Sequence, residues 1–168
     1  MARTVTLKGT SLELTGHQLH IGDTAPSATL RKDLLTDYTL SDANGKPRIY
    51  SVVPSLDTPV CADQTRRFNK EAATLNEILW FTISCDLPVA MARFCGSEGI
   101  DTGKIQVLSD HKNLDFGQKF GTLIPELRIL CRAVFVIDKN NTIVYADYVS
   151  EISEHPNYDA VLEAAKTL

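Results

Sequence analysis

The join between an apolar run and a proline-initiated helix constrains this chain most. Arg48 to Val53 is a compact β-rich run. Five residues past it stand Thr58 and Pro59. Threonine can cap a helix, and proline suits the first helical position, where its missing N–H is no loss. From Pro59 to Asn76 the spacing predicts a helix, with Cys61, Thr65, Phe68, Ala72 and Leu75 on one stripe. Ile78 to Ser84 is a second buried-looking strand. Strand, helix and strand in this order predict a parallel βαβ unit.

The rest of the chain extends that unit. Asp86 is placed to cap a short helix from Leu87 to Cys95, which Gly96 would stop. Ile105 to Leu108 reads as a third strand, and Asn113 to Phe120 as a helical turn or two ended by Gly121. Ala133 to Ile137 and Thr142 to Val149 flank a turn at Asp138–Asn141, so they form a hairpin. Asn157 to Leu168 is a closing amphipathic helix. Upstream, Val5, Leu7, Leu12, Leu14, Leu19 and Ile21 alternate around Gly9 and Gly16, as in a hairpin or meander. Thr29 to Leu40 supports one irregular strand and a short second one. The expected class is α/β with a thioredoxin-like fold: a mixed central sheet, flanking helices and an N-terminal β-hairpin. One domain is expected over 1–168, with residues 1–22 as the hairpin extension.

Composition narrows the function. The 168 residues suffice for one sizeable core. Net charge is -4, and the only basic cluster is Arg66-Arg67, which reads as a solvated helix face. A nucleic-acid partner is therefore not expected. No apolar run is long enough to span a membrane, and the N-terminus lacks the apolar core of a signal peptide. The expected location is cytoplasmic, where thiols stay reduced. The four cysteines, Cys61, Cys85, Cys95 and Cys131, include no C-x-x-C pair. That pattern suits catalytic or buried thiols better than a disulfide scaffold or zinc knuckle. The four histidines are scattered, and the sequence contains no metal constellation or nucleotide loop.

Cys61 carries the chemical interest. It falls in the first turn of the expected helix, where free N–H groups and the positive dipole end favour a thiolate. It also lies past the carboxyl end of a strand, where open α/β sheets place their sites. Taken alone, a free cysteine is as easily a buried structural thiol.

The motifs are more specific. Pro54, Thr58 and Cys61 stand as P-x-x-x-T-x-x-C, which resembles the active-site signature of the peroxiredoxins. The longer string PSLDTPVCADQTRRFN resembles their thiol peroxidase subfamily, whose members are atypical two-cysteine peroxiredoxins. DLPVAMARFCGSEGI, CRAVFVID and HPNYDA resemble later blocks of that subfamily. The resemblance covers nearly the whole chain. It implies Cys61 as the peroxidatic cysteine and Cys95 as the resolving cysteine. It further implies that Thr58 orients peroxide, that Pro54 shields the site and that Arg132 stands beside the thiolate. Hydroperoxide substrates, thioredoxin as reductant and a homodimer are implied as partners, with no bound cofactor. Cys85 and Cys131 stand where the family commonly has alanine, and Val89 and His155 also depart from its pattern.

These roles have a chemical rationale. Lowering a thiol pKa from about 8.5 to about 6 raises the thiolate fraction at pH 7 only about thirty-fold. A lower pKa also weakens the nucleophile. Further acceleration requires donors acting on the transition state, a task suited to Thr58 and Arg132. Each has a plain alternative: Thr58 as a helix cap, Arg132 as a surface ion-pair partner. Cys95, on the stripe Leu87, Met91, Phe94 and Cys95, could simply pack in the core. Cys85 and Cys131 read as buried small hydrophobes. Two rival functions use the same residues: a thiol–disulfide oxidoreductase on the same fold, and a non-enzymatic redox sensor. A cysteine hydrolase is disfavoured because no histidine is placed as its base.

Overall fold

The computed structural model describes residues 2–168, so Met1 of the expected 1–22 extension lies outside the described residues. The chain opens with β1 (Arg3–Leu7) and β2 (Thr10–Leu14), an antiparallel hairpin. It continues through β3 (Thr29–Arg31), β4 (Asp37–Thr39), a 3-10 helix (Leu40–Ala43) and β5 (Arg48–Val52). Next come α1 (Pro59–Ala72), β6 (Leu79–Ser84), α2 (Pro88–Glu98), β7 (Ile105–Ser109) and α3 (Asp115–Lys119). A small hairpin, β8 (Leu123–Ile124) and β9 (Ile129–Leu130), leads to β10 (Ala133–Ile137), β11 (Ile143–Tyr148) and α4 (Tyr158–Ala165).

Seven strands form one mixed sheet in the order β11-β10-β5-β6-β7-β3-β4. β5, β6 and β7 are parallel, while β10 runs antiparallel to both β5 and β11. The thioredoxin-like arrangement expected from the sequence is therefore present. Every residue of β5 and β10 is buried. These central strands are covered on both faces, which is why they read as continuous apolar runs without alternation.

Strand alternation divides the core. Ile49, Trp80, Val134 and Val136 face one side and pack with Phe68 and Ala72 of α1, Cys95 of α2, and Val161 and Ala165 of α4. Tyr50, Val52, Phe81, Ile83, Phe135 and Ile137 face the other, with Phe116 of α3 and Val5, Leu12 and Leu14 of the hairpin. The hairpin thus substitutes for a helix on that face. Gly16 permits its close approach: a Cβ there would lie 2.1 Å from the Gln118 carbonyl oxygen. Glu151 fastens the hairpin tip by accepting from Lys8 N, Gly9 N and Thr6 Oγ1; the Ser153 hydroxyl first, and then these bonds, hold its carboxyl down at about 2.

Several local expectations are corrected. Leu19 and Ile21 continue no strand, and Ile21 is exposed. α1 ends at Ala72, four residues short of Asn76. α2 runs on to Glu98 with Gly96 inside it; the stop is Gly99 in the left-handed conformation (φ 66°). Asp86 does not cap that helix: its N-cap is Leu87, which is exposed and makes no side-chain cap bond. The β8–β9 hairpin has no counterpart in the sequence pattern, since two-residue strands carry no periodicity.

Asp110, at the carboxyl end of β7, is buried and accepts from the N–H groups of Phe116 and Gly117 at 3.0 and 2.8 Å. Burial outweighs those bonds and pushes its carboxyl up to about 6. A raised carboxyl binds its proton more tightly in the folded state. The stability it contributes is complete below about pH 4 and is lost as pH rises through about 6. Relative to Asp110→Asn, the wild type should lose about 3 kcal/mol between pH 3 and 7. Urea midpoints measured across that range test this, and parallel curves for the two proteins would refute it.

Candidate active site

Cys61 occupies the third position of α1, after Thr58 as N-cap and Pro59 as first residue. Thr58 has extended backbone angles (φ -117°, ψ 148°), and its carbonyl accepts the Ala62 N–H at 2.9 Å. The expected start of the helix is therefore where the sequence places it. The capping side chain is not: the Thr58 hydroxyl donates to the Ser55 carbonyl at 3.0 Å and makes no bond to a helix N–H. Val60 and Cys61, in the first turn, have no intrahelical acceptor for their N–H groups.

The sulfur is enclosed. Cys61 has no exposed surface and packs with Val53, Leu56 and Met91. Pro54, two residues past the end of β5, is also buried. Arg132 reaches this sulfur from another element. Its Nη2 donates to Cys61 Sγ at 3.2 Å and to the Ile152 carbonyl at 2.8 Å. Its Nε donates to the same carbonyl at 3.0 Å, and Nη1 donates to Gln64 Oε1 at 2.8 Å. The guanidinium is 1% exposed. A surface ion pair, the plain alternative for this residue, is thus ruled out.

Strand pairing explains the meeting. Ala133 of β10 sits opposite Val52 of β5. Arg132, one residue earlier, is thereby carried to the carboxyl end of β5, where the loop into α1 begins. Among the described residues, the guanidinium partners besides the sulfur are neutral oxygens, so Cys61 Sγ is where compensating negative charge can gather.

Gln64 was not singled out from the sequence. It lies one turn after Cys61, fully buried, and donates from Nε2 to Ser51 Oγ at 2.8 Å while accepting from Arg132. The available signal was its spacing: a polar residue three after Cys61, adjoining the apolar stripe. The Ile152 carbonyl carries no such signal, because any residue type supplies one.

Cys95 is a free thiol, 3% exposed, in the last turn of α2. Its carbonyl accepts from Gly99 N and from Ile100 N, the latter at 3.0 Å. It packs in the cluster containing Trp80 and Phe68, while Cys61 belongs to a different cluster. Phe94 touches both clusters. Burial pushes the Cys95 thiol up. Cys131 is buried on the opposite face of the sheet, among the hairpin-side core, and its thiol is pushed up to about 12 by that burial. Cys85 is half-buried, not fully buried; desolvation, then Asp110 and Asp86, push it to about 12 as well.

A solvent-facing groove runs beside the start of α1. Ser55 to Pro59 form one wall, and Ala90, Arg93 and Phe94 of α2 the other. Arg66 at its rim pairs with Glu98 at 2.7 Å, so the Arg66-Arg67 pair belongs to a solvated face. A second cavity, around Trp80, Lys104 and Gln106, lies at the amino ends of β6 and β7, away from Cys61. Among the described residues, no group of histidine, cysteine or carboxylate side chains is arranged to hold a metal ion, and no helix is long and apolar enough to cross a membrane.

Known proteins resemble this chain along nearly its whole length. The Redoxin family matches residues 20–162, leaving out the N-terminal hairpin. The thiol peroxidase of Bacillus subtilis (strain 168) is 51% identical over 164 residues, covering 98% of this chain and 97% of that protein. The thiol peroxidase of Oceanobacillus iheyensis is 51% identical over 158 residues, covering 94% of this chain and 95% of the relative. The crystal structure of a peroxiredoxin-like protein from Aquifex aeolicus superposes with a TM-score of 0.90 at 41% identity, covering 99% of this chain and 98% of the other. The thiol peroxidase from Chromobacterium violaceum shares the fold, with a TM-score of 0.87 at 21% identity over 98% of this chain and 95% of its own. Similarity of this extent, over nearly every residue, means that the chain belongs to the redoxin family, in the thiol peroxidase branch of the peroxiredoxins.

Proposed function

We propose that this chain reduces hydrogen peroxide and organic hydroperoxides to water and alcohols, with Cys61 as nucleophile and Cys95 as resolving thiol. The observation carrying this reading is the buried Arg132 guanidinium donating to Cys61 Sγ at 3.2 Å. The Cys61 thiolate attacks one peroxide oxygen, an S–O bond forms and the O–O bond breaks. Negative charge passes from sulfur to the departing oxygen, which takes a proton and leaves as water or an alcohol. Arg132 and the first-turn N–H groups are placed to hold that charge throughout. Thr58, its hydrogen given to Ser55, keeps lone pairs free to accept the peroxide O–H. Pro54 and Leu56 limit water around the sulfur. Cys61 is left as a sulfenic acid.

Cys95 then attacks the Cys61 sulfur, an S–S bond forms, and the sulfenic oxygen departs as water. Both cysteines are buried in separate clusters, and a disulfide requires their Cα atoms within about 7 Å. The last turn of α2 is the segment that opens. Leaving the core also relieves the burial that holds Cys95 as a thiol. A dithiol protein of the thioredoxin type resets the disulfide. We place the reaction in a reducing cytoplasm, in one domain of a homodimeric enzyme with no bound cofactor.

Turnover with hydrogen peroxide, thioredoxin and its reductase tests the reading directly. Cys61→Ser should be inactive. Cys95→Ser should lose thioredoxin-coupled turnover yet consume one equivalent of peroxide. Full coupled activity in Cys61→Ser would leave the proposal without its nucleophile, and peroxide loss in the wild type separates a peroxidase from a sensor or a disulfide exchanger.

Arg132→Lys replaces the planar fork with a point charge and should slow peroxide oxidation of Cys61 about 10- to 100-fold, the worth of one or two charged hydrogen bonds. A rate within two-fold of wild type in competition for hydrogen peroxide would exclude Arg132 from the transition state.

Amide exchange should rise around residues 91–100 in the disulfide form relative to the reduced form, and Trp80 fluorescence should change with it, since Trp80 and Cys95 share a cluster. Unchanged protection on α2 in a protein that has formed the Cys61–Cys95 bond would rule out local opening.

A further inference from the structure

Asp86 follows β6 and precedes the N-cap of α2, yet its side chain caps no helix. Oδ1 accepts from Ser55 Oγ at 2.7 Å. Oδ2 accepts from Leu56 N at 2.8 Å and from Ser84 Oγ at 2.6 Å. The carboxylate is held from behind: Asp86 N donates to Ser84 Oγ at 3.1 Å, and its carbonyl accepts from Ser109 Oγ. Two neighbouring strands thus fix a carboxylate whose outward bonds all go to the loop between β5 and α1.

That loop carries Thr58. Ser55 accepts the Asp57 N–H on its Oγ at 3.2 Å, and its carbonyl accepts the Thr58 hydroxyl at 3.0 Å. A hydroxyl has one hydrogen and two lone pairs. A carbonyl can only accept, so the Thr58 hydrogen is committed to Ser55 and its lone pairs are turned elsewhere. The direction they take depends on where the Ser55 carbonyl stands, and Asp86 holds Ser55 and Leu56 from a point 30 residues along the chain.

We propose that Asp86 is a positioning residue for peroxide reduction: through Ser55 it aims the Thr58 hydroxyl at incoming substrate. The proposal rests on the peroxidase reading and extends it to a residue that touches neither Cys61 nor Arg132. A loop clamp with no link to Thr58 would also lower activity, so the discriminating quantity is the coupling between the two side chains.

The experiment is a double-mutant cycle on the second-order rate of Cys61 oxidation by hydrogen peroxide, in the full chain. Asp86→Ala and Asp86→Asn are each placed in the wild-type and Thr58→Val backgrounds. With Thr58 present, Asp86→Ala should slow oxidation about ten-fold, the loss expected when one orienting hydrogen bond is misdirected. In Thr58→Val the same change should cost less than two-fold, because no hydroxyl remains to aim. Asp86→Asn keeps an oxygen acceptor and should fall between, again only when Thr58 is present. Equal losses in both backgrounds, or no loss with Thr58 present, would overturn the proposal. Thermal melts identify any variant that fails to fold. If Asp86→Ala does, the Asn pair decides by the same criterion. A wild type that consumes no peroxide would overturn the peroxidase reading and this proposal together. An active wild type without Asp86–Thr58 coupling overturns this proposal alone.

Discussion

The site depends on a buried positive charge whose neighbours are neutral. Arg132 has almost no exposed surface, and besides Cys61 it donates, among the described residues, to the Gln64 side chain and the Ile152 carbonyl. Burying an ion costs several kcal/mol unless its donors are satisfied and its charge is met. The carbonyl and amide oxygens satisfy donors; they cannot supply a full charge. The sulfur can, and in the proposed reaction so can the oxygen leaving a peroxide. Gln64 matters here for what it lacks. A glutamate in its place would give Arg132 a permanent counter-ion and weaken its field at the sulfur.

The fold makes that arrangement affordable. β5 and β10 are buried throughout and pair antiparallel, so an arginine one residue before β10 cannot reach solvent without disturbing the sheet. The same pairing brings it to the carboxyl end of β5, where α1 begins. Parallel strands and their crossover helix bring Cys61 to the same end. Two stretches some 70 residues apart meet because the sheet register allows no other placement.

Enclosure and reactivity pull against each other here. Cys61 and Cys95 each sit where water is excluded, in clusters bridged by Phe94. Such packing strengthens electrostatics around one sulfur and keeps the other quiet. It also keeps them apart. α2, stopped at Gly99 and tied to α1 through the exposed Arg66–Glu98 pair, is the element that the proposed reaction requires to open.

Much of this was legible in the chain itself, because it is local. Thr58 and Pro59 start α1 where expected, α4 begins one residue after Asn157 and ends at Ala165, short of the expected Leu168, and the turn at Asp138–Asn141 joins β10 to β11. Apolar runs and cap residues act through backbone geometry within a few positions, so the element order and the place of Cys61 could be read directly. Cap roles were misread where a side chain had two uses. Asp86 and Thr58 both had the chemistry of a cap, and both spend it on the loop around Ser55. Gly96 stayed helical because Gly99 offered the left-handed stop. The residues themselves determined that a proline-initiated helix would follow a buried strand and lift one cysteine into its first turn. Only the tertiary structure decided which polar partners surround that cysteine, since the hydrogen bonds of Arg132, Gln64, Ile152 and Asp86 join segments whose separation in sequence carries no information about their distance in space.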